Sequence, residues 1–265
     1  MEVIIRPTQD AAEELTARII ANEIRAKPRL VLGLATGRTM EDVYAMLVRL
    51  HHEEDLDFSR VTTFNLDEYI GIPAENEHSY RYYMNKHLFN HVNIDIRNTH
   101  LPNGAAADFD HECEVYENTI RECGGIDFQL LGIGSTGHIG FNEPLSAMFS
   151  RTRAKALSPR TLEQNGPLFG GVDRMPKRAI TMGVGTILEA RRCVLLAVGG
   201  SKAEIIAKAV EGPVTSMISA TALQLHPRCS VIVDEAAAGR LEHQEYYRWL
   251  FENEPEWELY RTAGL

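Results

Sequence analysis

The amino-acid sequence predicts an α/β fold built on a mostly parallel sheet with helices on both faces. Three observations carry that expectation. Short apolar runs recur along the chain and are continuous rather than alternating; amphipathic stretches of helical length separate them; and no internal repeat, low-complexity tract or Pro/Gly/Ser linker breaks the alternation. Strands buried on both faces read as continuous apolar runs, and parallel neighbours need a long crossover, usually a helix. The chain is accordingly read as a single domain over residues 1–265. A chain of this length buries roughly 70–75% of its unfolded surface, so its core requires neither disulfides nor a metal.

The elements follow in order. EVIIR at 2–6 is the first expected strand, and a helix is expected near 9–27. RLVLGL at 29–34 and VTTFN at 61–65 flank a helix near 40–52. Helices near 79–90 and 108–123 precede the strand IDFQLLG at 126–132. CVLLAV at 193–198 leads to a helix near 201–211, and CSVIVD at 229–234 leads to one near 235–250. In open sheets of this kind ligands bind beyond the carboxyl ends of the strands, so the residues just after each strand are the ones to inspect.

Composition narrows the class. Hydrophobic residues make up 44% and charged residues 24%, ordinary values for a soluble globular protein. No apolar run approaches the roughly 18 residues of a membrane span, and MEVIIRPTQD lacks the basic start and apolar core of a signal peptide. The net charge of −10, from 27 basic and 37 acidic residues, argues against a nucleic-acid surface, whose footprint is basic. Cys113, Cys123, Cys193 and Cys229 have no C-x-x-C spacing, which leaves zinc and dithiol chemistry unsupported. Free thiols in a chain without an export signal point to the cytoplasm.

Four strand ends carry candidate chemistry. After RLVLGL comes ATGRT, where Thr39-x-x-Asp42 has capping-box spacing and Gly37 lets backbone approach an anion, with Thr36, Arg38 and Thr39 as further donors. After CVLLAV, Ser201 and Glu204 repeat that spacing, and Lys202 lies at a helix start where a cation opposes the helix dipole unless it faces an anion. After VTTFN come Asp67 and Glu68; adjacent carboxylates in extended chain diverge, so one of them at most faces a given cavity. After IDFQLLG comes GIGSTGHIGFNEP. Its Gly132-x-Gly134-x-x-Gly137 spacing matches a dinucleotide turn, but that motif needs a helix opening in the glycines and an acidic residue about 20 positions on. Pro144 disfavours helix at Glu143, and the next strand-like segment, SRTRAKAL, is basic. What remains is an acid–base loop in which His138 and Glu143 face one cavity, or a satisfied structural histidine.

Taken together, FNLDEYIGI, GIGSTGHIGFNEP, SRTRAKAL, PKRAITMGVGTIL, GSKAEIIAKAVEG and LQLHPR resemble the glucosamine-6-phosphate deaminases, in order and over roughly residues 1–250. The resemblance implies a Rossmann-like fold and conversion of glucosamine 6-phosphate and water to fructose 6-phosphate and ammonia, with no metal and no organic cofactor. It implies that His138, supported by Glu143, opens the sugar ring, and that Asp67 takes the C2 proton. It places the phosphate on Thr36, Gly37, Arg38 and Thr39 and on Lys202. Members are monomers or hexamers, so a homo-oligomer is compatible with the resemblance. The expected partner is a small phosphorylated amino sugar, with no nucleic acid and no membrane.

Three positions depart from the family pattern. Thr136 stands two residues before His138 where the family has an aspartate; threonine can hydrogen-bond but carries no charge, so ring opening is expected to lean on Glu143. NGPLFGG replaces an ARFF-like segment whose arginine grips the phosphate. Either Arg38, standing where the family's PTGGT loop has glycine, supplies the cation instead, or it points to solvent and Lys202 with the backbone amides suffices. For the family's allosteric pocket, Ser146, Arg153, Lys155 and Tyr246 match, whereas Ala147 replaces the second serine. Two other readings stay open: the galacto epimer as substrate, because nothing visibly reads the C4 hydroxyl, and a non-catalytic sugar-phosphate sensor. Against the sensor, the sequence opens on a strand without a helix-turn-helix and carries the proton-transfer residues.

Overall fold

Seven strands form one parallel sheet in the order β1-β10-β9-β6-β2-β3-β5. They are β1 (Glu2–Arg6), β2 (Val31–Leu34), β3 (Thr62–Asn65), β5 (Thr99–His100), β6 (Phe128–Leu131), β9 (Arg192–Ala197) and β10 (Cys229–Asp234). The computed structural model of the chain describes residues 1–262. Every residue of β2, β6, β9 and β10 is buried, which is why their apolar runs are unbroken. The six strands expected from the sequence are all present, β1 and β10 with the expected bounds and the other four shortened or shifted at their ends by one or two residues.

Helices pack around this sheet. α1 (Gln9–Ala26) starts at Thr8, whose hydroxyl accepts from Ala11 N at 3.1 Å, and buries Ala12, Leu15, Ile19 and Ile20 along one stripe. α2 (Arg38–Glu54) buries Met40, Val43, Tyr44, Leu47 and Leu50 at the same helical spacing. α3 (Tyr80–His87), α4 (Phe109–Glu122) and α7 (Ala203–Val210) occupy the other expected helical stretches. Neither expected capping box forms. α2 begins at Arg38 with Gly37 as its cap, which places Thr39 inside the first helical turn rather than at the cap position. Before α7, a 3₁₀ turn over Gly200–Lys202 intervenes, so Lys202 rather than Ser201 holds the cap position.

The helix expected near 235–250 is two helices, α8 (Glu235–Ala238) and α9 (Gln244–Asn253). The break has an identifiable cause. The Glu211 carboxylate accepts from Glu242 N at 2.8 Å and His243 N at 3.1 Å, while Leu241 drops into the core. Those amides are thereby removed from any continuous helix. A short α10 (Glu258–Thr262) follows.

A second, antiparallel sheet of three strands was not anticipated. β4 (Asp67–Tyr69) pairs with β8 (Arg178–Thr181), which pairs with β7 (Arg153–Ala156). It covers a separate apolar cluster of Tyr69, Phe141, Leu157, Phe169, Met175 and Ala179, with α5 (Pro159–Asn165) alongside through Leu162.

Strand order locates the crevice. From β2 the chain runs outward to β3 and β5, then returns to the central β6 on the other side of β2 and continues to β9 and β10. The loops leaving β2 and β6 diverge at this reversal, the place where an open α/β sheet binds ligands. No helix opens after β6; residues 132–152 are irregular, as the acid–base reading of this loop requires.

Candidate active site

Four loops meet at the reversal. β9, β6 and β2 are neighbours, so their carboxyl ends bring Lys202, the 132–143 loop and Thr36–Thr39 together, and β3 on the far side of β2 delivers Asp67.

Asp67 and Glu68 diverge as adjacent residues in extended chain must. Glu68 turns to α3 and accepts from the amides of Tyr69 at 2.9 Å, Tyr80 at 2.9 Å and Arg81 at 3.0 Å, so it is a helix-start anchor. Asp67 turns to the crevice. It is buried, and burial, reinforced by the neighbouring Glu68 charge and opposed by the Phe141 amide, pushes its carboxyl up to about 8. Its Oδ2 lies 3.4 Å from the point where a side chain on Gly140 would begin, which places it against the loop that carries His138.

That loop presents the imidazole. Gly134 N donates to His138 O at 2.9 Å, closing a tight turn that folds the ring back over Gly134. A Cβ at position 134 would lie 2.1 Å from His138 Nε2, so only glycine fits there. On the other edge of the ring, Nδ1 lies 2.7 Å from Thr136 Oγ1 and 3.3 Å from Glu143 Oε2. A carboxylate can only accept, so N–H at Nδ1 with a bare Nε2 is the tautomer that matches Glu143, while the Thr136 hydroxyl can serve either role. Glu143 is itself held: Ser158 N donates to its Oε1 at 3.2 Å and the Thr161 hydroxyl does likewise. Although burial works against its charge, the hydrogen bonds and charge of His138, with those of Thr161 and Ser158, hold its carboxyl down at about 2. It is an anion across the working pH range, suited to orienting His138 rather than to exchanging protons itself.

The anion side of the crevice is built from backbone. Gly37 has φ 126°, a conformation that favours glycine, and α2 begins immediately after it. Tyr83 OH donates to Gly37 O at 2.8 Å, and Tyr80 OH interacts with the Thr36 hydroxyl. Lys202 Nζ is half-buried and donates to Ile133 O at 2.7 Å; burial lowers its pKa. Arg38 heads α2, exposed, with no hydrogen bond or ion pair among the described residues.

Of the residues expected to form a second pocket, the structure joins two. Arg153 donates to Ser146 Oγ at 3.1 Å and to Asn142 Oδ1 at 2.8 Å. Lys155 is exposed further along β7. Tyr246 lies on α9, stacked at 9° on Trp249 with ring centroids 6.5 Å apart, and no hydrogen bond joins it to Ser146 or Arg153. Sequence reasoning missed Ser158, Thr161 and Thr181, the last of which accepts from Phe141 N at 3.0 Å behind Asp67. Only Ser158-Pro159 carries a local signal, that of a helix start, which it is. Among the described residues, no three His, Cys, Asp or Glu side chains cluster as a metal site would need, and no helix is long and apolar enough to cross a membrane.

A buried base beside an oriented imidazole, with an anion cradle opposite, can move protons between adjacent atoms of a bound phosphorylated substrate. Comparison with known proteins agrees with that chemistry. The family model for glucosamine-6-phosphate isomerases/6-phosphogluconolactonase matches residues 7–231. The glucosamine-6-phosphate deaminase of Hahella chejuensis is 47% identical over 250 residues, 94% of this chain and 95% of that protein. That of Clostridium perfringens (strain 13 / Type A) is 44% identical over 242 residues, 91% of this chain and 100% of its own length. A solved structure described as a monomeric glucosamine-6-phosphate deaminase superposes with a TM-score of 0.89 at 43% identity, covering 91% of this chain and 100% of that one. The 6-phosphogluconolactonase of Trypanosoma brucei shares the fold, with a TM-score of 0.73 at 20% identity over 91% of this chain and 98% of that one.

Proposed function

The chain belongs to the glucosamine-6-phosphate isomerase/6-phosphogluconolactonase family, and from that premise we propose that it is an isomerising deaminase converting glucosamine 6-phosphate and water to fructose 6-phosphate and ammonia. The observation that carries the reading is Asp67, a buried carboxyl with its proton affinity raised to about 8, set against the loop of a histidine whose Nδ1 faces the Glu143 carboxylate and the Thr136 hydroxyl. The lactone-hydrolysing branch of the family needs a water activated for attack on a carbonyl. Here the base is buried and the imidazole oriented, an arrangement suited to shuttling a proton along carbon.

The steps balance as follows. His138 takes the proton of the anomeric hydroxyl at Nε2 and returns one to the ring oxygen as the C1–O bond opens, giving the aldehyde. Glu143 keeps Nε2 bare for that task by accepting at Nδ1. Asp67 removes the C2 proton, giving an enolate at C1–C2 with the amine still on C2. Return of that proton to C1, with transfer of one amine proton to O1, makes a ketimine at C2; water adds, ammonia leaves, and the ketone remains. The phosphate rests on the backbone and hydroxyls of Thr36–Thr39 and on Lys202, with Arg38 at the lip, so that binding energy remote from the reacting carbons holds C1 and C2 between the two proton-transfer groups. We read residues 1–265 as one functional unit acting in the cytoplasm on a small phosphorylated amino sugar.

The test is incubation of the purified protein with glucosamine 6-phosphate, with ammonia and fructose 6-phosphate both measured, and galactosamine 6-phosphate assayed in parallel. Equimolar appearance of the two products supports the reading. Saturable binding without turnover of either sugar identifies a sensor, and turnover of the galacto epimer alone reassigns the substrate.

A further inference from the structure

Resting on that reading of the site, we propose that Arg160 is a second cation for the substrate phosphate, held in place by Ser135 and acting across the 132–138 loop from Lys202. Nothing in the sequence pattern singled Arg160 out, because it lies 25 positions from the loop it serves.

The observations are geometric. A pocket of about 630 Å³ beside the catalytic loop is lined by Ser135, Pro159, Arg160, Glu163 and Gln164. Arg160 Nε donates to Ser135 Oγ at 3.1 Å. Lys202 Nζ donates to Ile133 O at 2.7 Å. The two cations are thus tethered to the same loop at positions two residues apart, a separation of at most about 7 Å between α-carbons.

Arg151, Arg191, Arg192 and Arg248 spend their guanidinium groups on carboxylates. Arg160 has no carboxylate partner among the described residues, and its single hydrogen bond uses Nε. That leaves Nη1 and Nη2 as an open pair of donors, the fork that matches two oxygens of a phosphate.

The charge balance requires such a group. A sugar phosphate carries close to two negative charges, and Lys202 compensates one. NGPLFGG, where the family's phosphate arginine is missing, offers no cation and buries Phe169 in the apolar cluster under the small sheet. Arg38 carries the right charge but has no hydrogen bond to hold it over the crevice, whereas Arg160, also exposed, is tethered at Nε to Ser135, so less side-chain freedom is lost on binding.

The experiment compares the intact protein with Arg160→Ala, Arg160→Lys, Ser135→Ala and Arg38→Ala, each checked for an unchanged melting temperature. Steady-state kinetics with glucosamine 6-phosphate is run beside calorimetric binding of inorganic phosphate. Loss of a charge-assisted bidentate contact should raise KM and the Kd for phosphate by about 10-fold or more in Arg160→Ala, with kcat within about 3-fold of the parent. Arg160→Lys should recover part of the loss, and Ser135→Ala should show a smaller rise than Arg160→Ala. Unchanged KM and phosphate affinity in Arg160→Ala overturn the proposal, as does a loss carried entirely by Arg38→Ala. If the parent protein turns over no amino sugar phosphate, the catalytic reading fails, and the phosphate titrations still decide the role of Arg160.

Discussion

Asp67→Asn separates the two consequences of burying a carboxyl at the crevice. Its proton affinity is raised from the ordinary 3.8 to about 8, mainly by burial. The sign follows from proton counts: above pH 3.8 the unfolded chain releases this proton, while the folded protein keeps it until about pH 8. Folding therefore takes up a proton over that window, and each pH unit destabilises the folded state by about 1.4 kcal/mol, reaching about 5 kcal/mol by pH 8. The asparagine side chain fills the same space without the ionisation, so the variant should be more stable than the parent by a margin that grows from pH 5 to pH 8. Urea unfolding at four pH values measures it. Glu13, buried and raised to about 7, tilts both proteins alike and cancels in the difference.

Activity moves the other way. A base that is protonated below about pH 8 makes kcat/KM of the parent rise with pH until a plateau above that value. Asp67→Asn should lower kcat by about 100-fold or more and abolish exchange of the C2 hydrogen with solvent, followed by proton NMR in deuterium oxide. Near-wild-type turnover in the variant, or a stability margin that does not change with pH, would refute the assignment of Asp67 as a buried base.

Three further outcomes follow from the same geometry. His138→Gln should impair deamination of the cyclic amino sugar more than amination of open-chain fructose 6-phosphate in the reverse direction; equal losses in a folded variant would assign the histidine a structural role. Thr136→Val leaves Nδ1 only the Glu143 carboxylate at 3.3 Å and should lower forward kcat by about 5-fold with little change in KM, whereas unaltered kcat would show that Glu143 alone orients the ring. Glu68→Ala orphans the Tyr80 and Arg81 amides at the start of α3 and should cost about 2 kcal/mol or more in urea unfolding; a neutral result would remove Glu68 from its anchoring role.

The strand ends were legible because burial on both faces forces continuous apolar runs, and Thr36–Thr39, Asp67, His138 and Lys202 each follow such a run within a few residues. That Asp67 and Glu68 divide their work was legible too, from side-chain alternation alone. The distant partners of these side chains were not. Glu68 finds its amides 12 and 13 positions away, and Arg160 finds Ser135 25 positions back. The break between α8 and α9 escaped for the same reason, since it depends on a carboxylate from Glu211. Interactions between residues distant in sequence leave no periodicity to read.

The unforeseen small sheet explains how Asp67 is placed at all. β3 and β4 are separated by Leu66 alone, and that residue belongs to both sheets: Leu66 N donates to Leu34 O at 3.2 Å in the parallel sheet, and its carbonyl accepts from Met182 N at 2.6 Å beside the antiparallel one. Asp67 is thus the first residue beyond the seam. Opposite it stands Thr181 of β8, whose hydroxyl holds Phe141 N and with it the backbone that leads to Asn142 and Glu143. One ladder rung therefore sets both Asp67 and the segment that leads to Glu143. A three-residue strand has too few positions to show a period, yet its main-chain hydrogen bonds fix Asp67 against Gly140 more firmly than any side-chain rotamer could.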